Sequence, residues 1–308
     1  MCLTQNFWSL LVSGLANGLV YALVALGYTL VYGVLQLINF AHSEVFMSGG
    51  FGGYFVLRAA MGNSTPHGLA SVGFVILGIA GGALAGGAVA FTLERVAYRP
   101  LRRRRAPRLS FLISAIGASY FLYNIAGKEF GRTSVFIPAP FTNGTVISFL
   151  GAQVQTYYIV IAIATLIMLV VLDRFVALTR LGKGIRAVAQ DAETASLMGV
   201  NIDRVISQTF VIGGLLGGAA GFLFGLNAGV VYTMGFTPSI KAFTAAVLGG
   251  IGNIRGAIVG GLLLGVVENL GSACTQASWR DVISFGVLVL VLLVRPTGLL
   301  GERLGRAA

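Results

Sequence analysis

Long apolar stretches alternate with short polar ones along almost the whole chain. Residues 7–35, 44–60, 69–94, 110–126, 156–173, 205–230 and 281–294 are apolar runs, and 239–251 with 255–272 forms a broken pair. About 20 such residues cross the hydrocarbon core of a bilayer. The pattern therefore predicts an all-α integral membrane protein with eight or nine transmembrane segments, including a broken or re-entrant one. Three runs exceed what a crossing needs; 26 to 29 residues at 1.5 Å each reach roughly 40 Å, which predicts tilt, kinks or extension into the interface. No polar block is long enough to fold separately, so residues 1–308 are expected to form a single domain, with a cytoplasmic loop at about 174–204.

Composition agrees. The chain is 56% hydrophobic and only 10% charged, against roughly 25% charged in soluble domains, and its mean hydropathy is +0.87. A net charge of +11 could suggest nucleic acid, but the basic residues collect between apolar runs. Arg95, Arg99, Arg102 to Arg105 and Arg108 form one cluster, and Arg174, Arg180, Lys183, Arg186 and Arg204 another. Arg295, Arg303 and Arg306 close the chain. This is the distribution of cytoplasmic loops in a multi-pass protein of the inner membrane, in contact with lipid and not with nucleic acid. The segments 61–68, 127–155 and 271–279 then face outward, and the C-terminus inward. No Lys or Arg precedes Arg58, so 7–35 is expected to be a retained helix and not a cleaved leader. Charge leaves the side of the N-terminus open, because it depends on whether 239–251 crosses or re-enters.

Glycine spacing predicts helix contacts. Gly213, Gly217, Gly221, Gly225 and Gly229 recur every four residues, as do Gly78, Gly82, Gly86 and Ala90. Small residues at this spacing let helix backbones approach closely, which supplies packing energy where lipid offers no hydrophobic drive. In "FTPSIKAFTAAVLGGIGNIRG" (236–256), Pro238, the glycines and Asn253 argue against one continuous helix. A second break is expected in "INFAHSEVFMSGGF" (38–51), where Asn39 or Ser43 can cap a helix starting near Glu44. Glu44 in the first turn suits the positive end of the helix dipole. Alternatively, Asn39, His42 and Glu44 line a substrate pathway at a broken helix. One broken segment in each half fits an inverted repeat.

The polar stretch 173–205 is too patterned for a mere connector. Residues 184–197 read as one short helix with Ile185, Val188, Ala189, Ala192, Ala195 and Ser196 on one side, capped by Gly199. Such a helix lies on the membrane surface or docks in a groove of another protein. Arg102 to Arg105 read as solvated anchors and Glu268 as an interfacial carboxylate reaching toward water, with Lys241 and Arg255 treated alike. Cys2 and Cys274 have no metal or redox spacing. With His42 and His67 as the only histidines, no catalytic set, metal site or cofactor site is identifiable.

"AETASLMGVNIDRVISQTFVIGGLLGGAAG" resembles the cytoplasmic coupling segment and following helix of permease subunits of ABC importers for branched-chain amino acids. "GLVYALVALGYTLVYGVLQLINFAHSEVFMSGGF", "AAVLGGIGNIRGAIVGG" and "RPTGLLG" resemble further signatures of that family, in the same order; Ser43 stands where the family usually has Gly. The resemblance implies coupling to an ATPase through Arg186, Asp191, Glu193, Ala195 and Gly199. It also implies a second, distinct permease subunit, two ATPase subunits and a periplasmic or external solute-binding protein. The chain has no G-x-x-x-x-G-K-[ST]; in "LGKGIR" Lys183 is followed by Gly184, so partner chains would hydrolyse the ATP. Alternating-access import of branched-chain amino acids is the expectation. Urea, short amides or other amino acids are alternative substrates, and a stand-alone secondary carrier or channel is the rival class.

Overall fold

The computed structural model describes residues 2–37, 39–62, 69–138, 146–149, 152–273 and 279–301. Parts of the predicted outer loops, with His67 and Cys274, lie outside the described residues, as do Arg303 and Arg306. The helices are α1 (Cys2–Leu35), α2 (His42–Met61), α3 (Leu69–Leu93), α4 (Arg99–Arg103), α5 (Arg108–Glu129), α6 (Thr156–Leu178), α7 (Arg180–Gln190), α8 (Ala192–Leu197), α9 (Ile202–Ala228), α10 (Phe236–Gly249), α11 (Ile254–Ala273) and α12 (Arg280–Val294). Among the described residues six stretches are long and apolar enough to cross a membrane: Phe7–Leu35, Ala70–Arg103, Arg108–Glu129, Thr156–Leu178, Ile202–Ala228 and Ile254–Ala273. The fold is thus that of a mostly helical membrane protein. One short antiparallel hairpin, β1 (Val146–Phe149) with β2 (Ala152–Gln155), adds to the expected all-α architecture.

Glycine brings the central helices together. On α1, Gly14 and Gly18 face Gly265 and Gly261 of α11 backbone to backbone. A Cβ at Gly18 would stand 2.8 Å from the Gly261 carbonyl, so only hydrogen fits. α9 runs through the middle and is small on two sides. Gly213 meets Gly27 of α1, Gly217 meets His42, Gly221 meets the Phe46 carbonyl of α2, and Gly225 meets Val230 and Ile137. The adjacent row, Gly214 and Gly218, packs on Gly82 and Gly86 of α3. α5 and α6, by contrast, leave large apolar side chains uncovered, among them Ile113, Tyr120, Phe121, Leu166 and Val170, as expected of surfaces that face lipid or another subunit.

The predicted break between α10 and α11 is present. Pro238 sits in the first turn of α10, where a missing N–H costs no helical bond. The helix stops at Gly250, with φ +106°, and Gly252 follows at φ +95°, conformations that side chains with a Cβ avoid. Asn253 then restarts the chain: its Oδ1 accepts from the amides of Arg255 (3.0 Å) and Gly256 (3.1 Å). The orphaned carbonyls at the end of α10 are not left bare. Leu299 N–H donates to Leu248 O (2.8 Å) and Leu300 N–H to Gly249 O (3.0 Å), so "RPTGLLG" folds back as a clasp on the break.

The first basic cluster corrects the loop expectation. The helix of α3 continues past residue 94 through a π turn, Glu94–Tyr98, into α4. In the π turn Arg99 N–H donates to Glu94 O. This wider winding carries the helix past Pro100, which has no N–H to give. Arg95, Arg99 and Arg102 therefore lie on a helical extension of a membrane-spanning stretch.

Candidate functional site

Among the described residues, four polar clusters stand out from the apolar bundle. The first is the start of α2. Asn39 Oδ1 accepts from Ala41 N–H (3.0 Å) and from the Tyr98 hydroxyl (2.8 Å). Asn39 thus pins the turn ahead of the helix. Neither Asn39 nor Ser43 makes a side-chain cap on α2 itself, whose N-cap is Ala41. The Ser43 hydroxyl has Phe40 O at 2.9 Å and Glu44 Oε1 at 3.1 Å. Glu44 is buried and not at an exposed helix end; its Oε1 also accepts from Ser119 of α5 (3.1 Å), while Oε2 has no hydrogen-bond partner. His42 is buried with Nε2 unpartnered, wedged between Gly27 and Gly217 with its ring 4.6 Å from that of Tyr28. Asn39, His42 and Glu44 therefore fan out to three neighbours, the π turn, α1 with α9, and α5. Tyr28, which the sequence did not single out, also meets Phe243 of α10 at 6.0 Å and so joins α1, α2 and α10.

The second cluster overturns the expectation for Glu268 and Lys241. Both are buried, and Lys241 Nζ donates to Glu268 Oε1 and Asp281 Oδ1, each at 2.8 Å. Ser284 Oγ lies 3.4 Å from Glu268 Oε2. One ammonium thus ties α10 to α11 and α12. Arg255, by contrast, is exposed. The signal available in sequence was the pair of opposite charges, Lys241 and Glu268, within the membrane segments flanking the break, since such residues pair inside bundles.

The third cluster lies in the basic stretch that was expected to be a cytoplasmic loop. The predicted helix 184–197 is two helices, α7 and α8, parted at Asp191. Asp191 takes extended φ/ψ of −155° and 110°. Its carboxylate accepts from the amides of Glu193 (2.9 Å) and Thr194 (3.3 Å) and from the Thr194 hydroxyl. An aspartate competes with helical backbone for these donors, so it starts α8 and does not continue α7. Ile185, Val188 and Ala195 point into the bundle, whereas Ser196 is exposed. Arg186 reaches back to Ala177 O at 3.3 Å, and Glu193 is exposed. Gly199, at φ +84°, turns the chain by the left-handed geometry common after helices. Its N–H donates to Ser196 O, and Val200 N–H to Ala195 O. Leu197 and Met198, at the tip, are 87% and 81% exposed.

The hydrogen bonds from Thr194, first its hydroxyl and then its amide, hold the Asp191 carboxyl below the usual carboxylate range. A folded-state value below the unfolded one means that the cap contributes above the unfolded pKa and is lost as pH falls through the folded one. Asp191→Ala is expected to speed amide exchange at Glu193 and Thr194 at neutral pH. Asp191→Asn, which caps without titrating, keeps both amides slow when the wild type loosens in acid. Equal exchange in all three proteins would refute the cap.

Arg102, expected as a solvated anchor, is instead a bridge: its Nε donates to Asp203 at 2.8 Å and its Nη2 to Glu94 at 3.0 Å. Glu94 is wholly buried. The bridge couples the α3–α4 helix to the first turn of α9, directly after the α8 corner.

A family model described as branched-chain amino acid transport system, permease component, matches residues 10–292. The chain belongs to this family. The permease is 44% identical over 296 residues to the high-affinity branched-chain amino acid transport system permease protein LivH of Escherichia coli, covering 94% of both chains. It is 43% identical over 299 residues to BraD of Pseudomonas aeruginosa, with the same descriptive name, covering 95% of both. Among solved structures, PsaBC from Streptococcus pneumoniae in complex with Fab is similar at a TM-score of 0.47 and 12% identity, covering 92% of the permease and 91% of that chain. The permease is a multi-pass protein of the bacterial inner membrane.

Proposed function

We propose that this permease is the membrane subunit of an ATP-driven importer that moves branched-chain amino acids inward by alternating access. Identity of 44% across 94% of the chain to a permease named for that substrate class carries the reading. A second, distinct permease completes the passage, two ATPases hydrolyse the ATP, and an external binding protein delivers the substrate.

The α7–α8 corner supports the coupling role. Leu197 and Met198 form an exposed apolar pair, which a groove on an ATPase would cover. The corner is held to the bundle by Ile185, Val188 and Ala195, and α9 follows it after a short turn. A push on the corner thus reaches α9 directly and α3 through Arg102. Arg186, Asp191, Glu193, Ala195 and Gly199 shape this corner, and Asn39, His42 and Glu44 sit where α2 would move against α1, α5 and α9.

The same reading extends to the membrane path. Gly33, near the end of α1, lies beside Ala189 of cytoplasmic α7, which supports an external start for α1. With 14 residues, α10 extends roughly 21 Å, short of the roughly 30 Å hydrocarbon core. We therefore read α10 as a partial crossing in a set of eight or nine membrane elements.

Leu197→Asp with Met198→Asp tests the coupling. Each buried side chain is worth about 1.5–3 kcal/mol at a contact, so the double variant is expected to lose ATPase binding and ATP-driven uptake while its melting temperature stays unchanged. Undiminished uptake would remove the corner from the coupling path.

A further inference from the structure

Two adjoining cavities open on the cytoplasmic side where the π turn and α4 run beside the start of α9. One, of about 390 Å³, has Arg95, Arg99 and Arg204 on its polar side and Phe91 and Val211 on its apolar side. The other, of about 380 Å³, shares Arg95 and Arg99 and adds Arg103 and Arg104. Asp203 also borders the first cavity, but Arg102 neutralises it. Among the described residues no carboxylate forms an ion pair with Arg95, Arg99 or Arg204. Arg99 Nε is shut off from solvent and has no hydrogen-bond partner.

The surroundings say what kind of anion fits. Phe91 and Val96 are 42% and 72% exposed and belong to the stretch Ala70–Arg103, which is apolar enough to span a membrane. The Arg95 guanidinium lies over the Phe91 ring, 5.1 Å from its centroid. Going along the helix, one passes from a surface suited to acyl chains to one suited to a phosphate. Basic recesses between membrane helices on the cytoplasmic side are where anionic headgroups bind. A contact made by the ATPases fits less well, because the apolar wall belongs to a stretch apolar enough to span a membrane, and neither Leu197 nor Met198 lines either cavity.

We propose that this recess is a binding site for an anionic phospholipid of the inner leaflet. Arg95, Arg99 and Arg204 hold the phosphate, and Phe91 and Val211 line the path of an acyl chain. The occupant sits beside the Arg102–Asp203 bridge and braces α3 against α9 at the point where motion from the α8 corner enters the membrane. The site is independent of which solute is carried.

The assembled transporter, reconstituted in phosphatidylcholine vesicles containing a minority of spin-labelled phosphatidylglycerol, tests this. The wild type is expected to immobilise phosphatidylglycerol in preference to spin-labelled phosphatidylcholine, and each of Arg95→Gln, Arg99→Gln and Arg204→Gln to lower that preference about five-fold. Lysine at the three positions retains most of it, which separates loss of charge from loss of fold. Absence of a preference in the wild type, or its persistence in the triple glutamine variant, overturns the proposal. So does full displacement of the labelled lipid by inorganic phosphate, which would make this a site for the free anion. Loss of ATPase co-purification in the glutamine variants, with lipid preference intact, would assign the recess to the ATPases and equally overturn it.

Discussion

Lys241→Met is expected to destabilise the folded permease more than Glu268→Gln does. The asymmetry follows from the partners. Removing the lysine leaves buried Glu268 without a cation, with the Tyr21 hydroxyl of α1 and the 3.4 Å contact to Ser284 as its remaining partners, and takes from the more exposed Asp281 its ion pair. Removing the Glu268 charge leaves Lys241 its 2.8 Å contact with Asp281. Breaking a buried pair so that one charge is uncompensated costs about 3–5 kcal/mol, and we expect Lys241→Met to fall there and Glu268→Gln well below it. The double variant Lys241→Met with Glu268→Met recovers much of the loss, because removing both charges removes the desolvation penalty. Thermal unfolding in detergent ranks the three. If Glu268→Gln proves the most damaging, or the double variant is worse than both singles, the triad does not hold α10, α11 and α12 together as described.

Gly221→Val is expected to prevent accumulation of folded protein. Any Cβ at Gly221 falls inside contact distance of the Phe46 carbonyl, a backbone atom that cannot swing aside. Overpacking costs typically 1–3 kcal/mol when side chains can adjust, and here the helices themselves must separate. Even Gly221→Ala should reach the top of that range. Along the same row, Gly213→Ala is the mild case, with nearest atoms at 3.3 Å and 3.4 Å, and Gly217→Ala is intermediate, at 3.1 Å from the His42 ring. Gly117 and Gly286 have nothing within 4 Å and serve as neutral controls. Melting temperatures that fail to follow this order would show that α9 does not pack on α2 through this row.

The features legible in the sequence were those set by local chemistry. The break at Gly250–Asn253 needed only glycines free of a Cβ and an asparagine able to cap, and the turn at Gly199 needed only a left-handed position. What stayed hidden depended on distant partners or on two local preferences in competition. Lys241 and Glu268 lie 27 residues apart, and nothing in either segment alone shows that their ends converge. Arg102 looked like any basic residue near a membrane until Glu94 and Asp203 were placed on either side of it. At Asp191 the apolar period runs on without interruption, yet the carboxylate prefers to cap the next helix. In the 39–44 stretch the presence of a turn and restart was readable, but the directions of Asn39, His42 and Glu44 were not, because they are set by which helices pass beside them.

The central claim is that this permease moves branched-chain amino acids only as part of an ATP-driven assembly. The direct measurement is accumulation of radiolabelled leucine in proteoliposomes holding the permease with its partner permease and ATPases, the binding protein added on the outer face and ATP on the ATPase face. The account predicts leucine accumulation that stops when ATP, the ATPases or the binding protein is withheld, and that labelled urea does not match. Solute uptake by the permease alone, without ATPases or ATP, or transport of urea in preference to leucine, would contradict it.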